Sequence, residues 1–213
     1  MTDLVAVNVL LEPDERTLER ARALNSTLRG SFPAGFAFDD SHQAHVTVLQ
    51  RYVRTGSLGS LFEAVGDVIA QGGLSGLRLR ALGLVSAELG TPPGTVLASV
   101  RLESAPALAA LQEALVEAVA AFTGHGGSPA AFFVSEGEPG VNAATVAYVE
   151  EFVPAGVAER YGPHISVGVG AKERVAELQA RPFEAFEVAP VAAAVFQLGD
   201  LGTARRRLRS WPL

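Results

Sequence analysis

The first hydrophobic pattern is a β-branched apolar run from Leu4 to Leu11, closed by Pro13, and it predicts a strand. Leu18, Ala21, Leu24 and Leu28 then recur near helical spacing among charges over residues 14–28, with Gly30 as the stop. A Phe-, Gly- and Asp-rich loop through Phe36, Phe38, Asp39 and Asp40 leads into residues 45–53, whose β-formers predict a second strand. Leu58, Leu61, Phe62, Val65 and Ile69 mark an amphipathic helix. Strands follow near 76–87 and 94–101, separated by the breaker Thr91-Pro92-Pro93-Gly94; in the first, Leu79 and Ala81 alternate with Arg78 and Arg80.

The second half follows the same scheme loosely. Ser104 is placed to cap a helix that carries Leu108, Leu111, Leu115, Val119 and Phe122 on one stripe. A Gly-rich loop at 123–128 precedes an expected hairpin of 131–135 and 145–152, broken at 137–140. Residues 164–170 predict a strand, 172–180 a short helix, and 183–190, 192–198 and 203–210 the closing strands. The expectation is an α+β fold with two antiparallel sheets and flanking helices in two similar lobes.

Composition narrows the chemistry. The 213 residues contain no cysteine, which excludes disulfide frameworks, zinc fingers and thiol nucleophiles. A net charge of −6 is the wrong sign for a broad duplex-DNA-binding face, while a local pocket for a small anion or an RNA end remains compatible. No apolar run approaches the ~20 residues of a membrane span, and the start of the chain lacks the basic cluster of a signal peptide. A cytoplasmic protein without a membrane partner is expected.

The chemistry-bearing pattern is a pair. His45-Val46-Thr47-Val48 and His164-Ile165-Ser166-Val167 share the form His-x-hydroxyl-apolar. On a strand, positions i and i+2 project from one face, so each imidazole points with its hydroxyl while the aliphatic neighbours pack behind. Continuing the alternation puts Arg51 on the polar face of the first strand. It puts Gly168 and Gly170 on that of the second, where missing side chains would leave room for a ligand. Two such pairs facing one groove fit phosphoryl transfer without a metal. A neutral imidazole takes the proton of the attacking oxygen, an imidazolium protonates the leaving oxygen, and Thr47 and Ser166 donate to the non-bridging oxygens.

On these motifs the chain resembles the 2H phosphoesterase superfamily, in its 2′-5′ RNA ligase-like and cyclic phosphodiesterase branch. The likeness includes the first strand and helix, Ala44 to Leu49, Tyr161 to Gly168, and the closing run from Val195 to Leu213. It implies one bilobal domain over residues 1–213 with pseudo-two-fold symmetry. His45 and His164 would be the catalytic pair, Thr47 and Ser166 would bind the phosphate, and no cofactor or metal would be needed. The implied substrates are 2′,3′-cyclic phosphates or 2′-5′ phosphodiesters of nucleotides or RNA ends, handled by a monomer. If an RNA 5′-hydroxyl replaces water as the nucleophile, the same site forms a 2′-5′ bond. The 137–159 segment is longer than in minimal members.

Other residues carry two readings each. Tyr161 and Phe38, just before the motifs, can stack on a base or pack behind the motif strands. Arg51 can reach a phosphate or stay solvated. Asp39, Asp40, His42 and His45 form the alternative metal set, and His125 reads as a turn residue. The run Arg205-Arg206-Arg207 with Arg209 can guide RNA or guard an edge strand. A non-catalytic nucleotide- or RNA-end-binding module is the alternative to an enzyme. Dinucleotide-binding, P-loop and nucleophile-elbow motifs are absent.

Overall fold

The computed structural model describes residues 3–39, 42–136, 138–156 and 161–213. In chain order these form β1 (Leu4–Pro13), α1 (Glu15–Ser31), β2 (Val46–Arg54), α2 (Leu58–Gln71), β3 (Leu79–Ala87), β4 (Thr95–Leu102) and α3 (Pro106–Val119). Next come β5 (Thr123–Gly124), α4 (Ala143–Gly156), β6 (His164–Ala171), α5 (Lys172–Gln179), β7 (Phe186–Val188), β8 (Pro190–Leu198) and β9 (Ala204–Pro212). One sheet has the order β5-β2-β1-β8-β9 and the other β6-β4-β3-β7, with every pairing antiparallel. One motif strand lies in each sheet: β2 follows His45, and β6 begins at His164.

The helices obey the apolar periodicity. Asp14 caps α1 by accepting from the Thr17 amide at 3.0 Å, and α2 buries Leu61, Val65 and Ile69. Helix α3 starts differently from expectation, because Ala105 rather than Ser104 occupies the cap position. Pro106, with φ already fixed near the helical value, opens the first turn. Helices α1 and α3 each pack behind a motif strand of the other half of the sequence, α1 on β6 and α3 on β2.

The expected hairpin is absent. Residues 129–131 make a single 3-10 turn, and Ala143–Gly156 is helical. Thr145, Val149 and Phe152 fall at i, i+4 and i+7 and are buried, so this segment carries a helical stripe built from residues that favour strands. Tertiary contacts secure it. Asn142 accepts from the Thr145 amide at 2.8 Å, Asp200 accepts from Asn142 Nδ2 at 2.7 Å, and the Tyr52 hydroxyl donates to the Val146 carbonyl at 2.9 Å.

Both motif strands carry a bulge at the same place. In β2, Thr47 pairs with Leu10 and Leu49 with Val9, leaving Val48 without a partner. In β6, Ser166 pairs with Ser99 and Gly168 with Ala98, leaving Val167. The extra residue is the one after the hydroxyl in each case, and it inverts the in–out parity of everything beyond. Each bulge is held by a buried side-chain amide. Gln112 Nε2 of α3 donates to the Val48 carbonyl, and Asn25 Nδ2 of α1 donates to the Val167 carbonyl, both at 3.0 Å.

Candidate active site

The first motif is organised by a residue on the neighbouring strand. Asn8 Nδ2 donates to His45 Nε2 and to Thr47 Oγ1, each at 3.1 Å, while His45 Nδ1 lies 2.8 Å from the Gln43 carbonyl. A carbonyl only accepts, so Nδ1 carries the proton and Nε2 presents its lone pair. His45 is 8% exposed. Burial pushes its pKa down to about 4, opposed by the Gln43 carbonyl and assisted by the nearby His164, so the ring is neutral at pH 7.

The second motif repeats the lock. His164 Nδ1 lies 2.8 Å from the carbonyl of Gly162, again two residues earlier, and Ser166 Oγ lies 3.2 Å from Ser99 Oγ. His164 is half-buried where His45 is buried. The motifs meet: Thr47 and His164 line one cavity, and the Tyr161 hydroxyl donates to the Thr47 carbonyl across it. Two imidazoles with the same nitrogen tethered and a hydroxyl beside each can divide proton donation and acceptance around one tetrahedral centre.

The bulges correct two expectations. Gln50 pairs with Asn8, so it shares the site face, and Arg51 pairs with Val7 on the opposite face. Arg51 therefore does not point with His45. Likewise Val169 takes the face of Ser166, and Gly168 and Gly170 face α1. A Cβ on Gly168 would sit 2.8 Å from Asn25 Nδ2 and one on Gly170 2.8 Å from Leu28 Cδ2. The glycines make room for a helix rather than for a ligand, and Gly168 has a φ of 144° as well.

Phe38 also lies elsewhere. It packs on the core and lines a separate cavity of about 380 Å3 with Glu12, Leu18, His42 and Arg207. That cavity is larger than the one beside His164, but its principal charges, Glu12 and Arg207, are paired with each other. Tyr161 is buried and bonded through its hydroxyl, which gives it the packing role. His42 stacks on Phe36 and bonds Asp39 at 3.2 Å, while Asp40 lies outside the described residues. No group of three or more metal-type ligands occurs among the described residues. His125 pairs with Glu150 at 2.6 Å. In the basic run, Arg205 pairs with Glu138 at 2.8 Å, and Arg207 reaches Glu12 at 2.5 Å. No described helix is long and apolar enough to cross a membrane.

Sequence reasoning missed the supporting residues. Asn8 had a signal, as the single polar residue in an apolar strand run. Arg101 had none before the register was known. It pairs directly with His164, two residues from Ser99, so the exposed guanidinium springs from the same face beside that ring.

Together these features define an α+β fold of two antiparallel sheets with flanking helices, the bilobal architecture expected from the sequence. Among solved structures, TT0787 of Thermus thermophilus aligns over 98% of both chains with a TM-score of 0.53 at 17% identity, a likeness of fold. A structure described as a phosphoesterase aligns over 98% of both chains with a TM-score of 0.46 at 12% identity. E. coli LigT complexed with phosphate aligns over 100% of this chain and 99% of its own, with a TM-score of 0.44 at 10% identity. No family model and no curated protein matches the chain.

Proposed function

We propose that the chain is a metal-independent phosphoesterase that opens 2′,3′-cyclic phosphates or cleaves 2′-5′ phosphodiesters of nucleotides or RNA ends. The observation that carries this reading is the duplicated lock: two histidines, each with Nδ1 tethered to the carbonyl two residues earlier and each paired with a hydroxyl. His45, neutral, takes the proton of the attacking water on Nε2 as its oxygen bonds to phosphorus, once Asn8 Nδ2 releases that lone pair. His164 gives a proton to the ribose oxygen as the P–O bond breaks. Thr47 and Ser166 donate to the non-bridging oxygens, and Arg101 offsets their charge.

Asn8 suits both states of the base. Its Oδ1 is buried without a partner among the described residues, so a half-turn of the amide lets it accept from Nε2–H once His45 holds the proton. Ring opening by an RNA 5′-hydroxyl in place of water, which forms a 2′-5′ bond as the protonated 3′ oxygen leaves, uses the same groups.

The test is turnover of a panel of 2′,3′-cyclic nucleotides, 2′-5′ dinucleotides and cyclic-phosphate-ended RNAs in isotopically labelled water. The expected result is a monoester product carrying one solvent oxygen, at a rate unchanged by EDTA. Cyclic phosphates that bind and stay intact would overturn the assignment in favour of a binding module, and a rate abolished by EDTA would contradict the metal-free mechanism.

A further inference from the structure

Helix α4 brings to the site groups that the proton transfers leave unused. Tyr148, Glu151 and Phe152 line a cavity of about 200 Å3 together with Thr47, Tyr161 and His164. That is below the ~300–1,000 Å3 of a site for a whole drug-sized ligand, and it suits one flat ring system. Tyr148 remains 38% exposed, with its ring held edge-on to the buried Phe152 at 5.9 Å between centroids. A phenol so braced offers an aromatic face with little freedom left to lose. Glu151 is exposed and makes no hydrogen bond or ion pair with any described residue. A carboxylate on the wall of a phosphate-ester site repels the ligand unless the ligand brings N–H donors to it.

We propose that this cavity is the base subsite, in which Tyr148 stacks the nucleobase attached to the reacting phosphate and Glu151 selects for guanine. The ring N–H and exocyclic amino group of guanine lie side by side and match the two carboxylate oxygens. Adenine and cytosine present an amino group alone. Uracil flanks its one N–H with carbonyl oxygens that a carboxylate repels. The inference rests on the phosphoesterase reading, because the ring is placed by the ester that the histidines hold.

The experiment is calorimetric titration of the full chain with guanosine 2′-monophosphate and uridine 2′-monophosphate, for the wild type, Glu151→Gln and Tyr148→Ala. The guanine nucleotide should bind about tenfold tighter in the wild type, and the preference should fall below about twofold in Glu151→Gln. Tyr148→Ala should weaken both about tenfold, as loss of one stacking platform does. Equal affinities in the wild type, or a preference that survives Glu151→Gln, would overturn the subsite. Turnover of cyclic nucleotides is read separately. Discrimination in binding without any turnover refutes the enzyme and keeps the subsite, whereas turnover without discrimination does the reverse.

Discussion

Asn8 sits in a strand of otherwise apolar residues with its amide fully buried, a placement that is stable only when the amide is hydrogen-bonded. Its two donated bonds set the orientation of His45 and of Thr47. Asn8→Leu fills the same space without a donor, and it is expected to lower turnover about tenfold while the fold persists, measured as kcat beside a thermal melt. A stable variant with undiminished turnover would remove Asn8 from the mechanism. The role proposed for Arg101 rests on charge rather than on orientation. Arg101→Ala should reduce kcat/KM by about tenfold or more, and Arg101→Lys should recover part of it. Steady-state kinetics at two salt concentrations checks this, since the Arg101 contribution should shrink as salt rises. The placement of each histidine with its hydroxyl is legible from residue types alone, because a spacing of two needs only a strand to put them on one face.

Beyond the hydroxyls that legibility ends, for one physical reason. The bulges at Val48 and Val167 add a residue that no hydrophobic pattern marks, since both valines are fully buried and look like ordinary core. Extrapolating the alternation therefore sent Arg51, Gly168 and Gly170 to the wrong face. Helix α4 was misread for a related reason: its Thr, Val, Tyr and Phe content favours strands, and only packing against β2 decides for a helix. The bulges themselves are testable. Gln112→Leu leaves the Val48 carbonyl buried without its donor and is expected to destabilise the protein by about 1–3 kcal/mol, read by urea denaturation. Activity should fall further than stability explains, because the bulge aims Thr47. The corresponding substitution in the other lobe, Asn25→Leu, should act alike through Val167, and if neither variant alters kcat at temperatures where both are folded, the bulges are not part of the site.

At the scale of the whole molecule, two sheets each carry one histidine, one buried and one half-buried, and the proposed mechanism assigns the buried one the base role. His45, held down to about 4 by burial, takes up its proton in the unfolded chain near pH 6.5 but in the folded chain only near pH 4. Between those values the unfolded state binds more protons, so stability should fall as pH drops, by up to about 3 kcal/mol, and level off below pH 4. His45→Gln should flatten that segment of the stability curve. The same value places the acid limb of the rate profile near pH 4, where the base becomes charged. Most direct of all is the comparison of cyclic-phosphate turnover by His45→Ala, His164→Ala and the double variant. Each single substitution is expected to remove about 10²–10⁴ in kcat, and the double to be scarcely worse, as for groups acting in one step. Full activity in either single variant, or losses that multiply independently, would contradict a shared site.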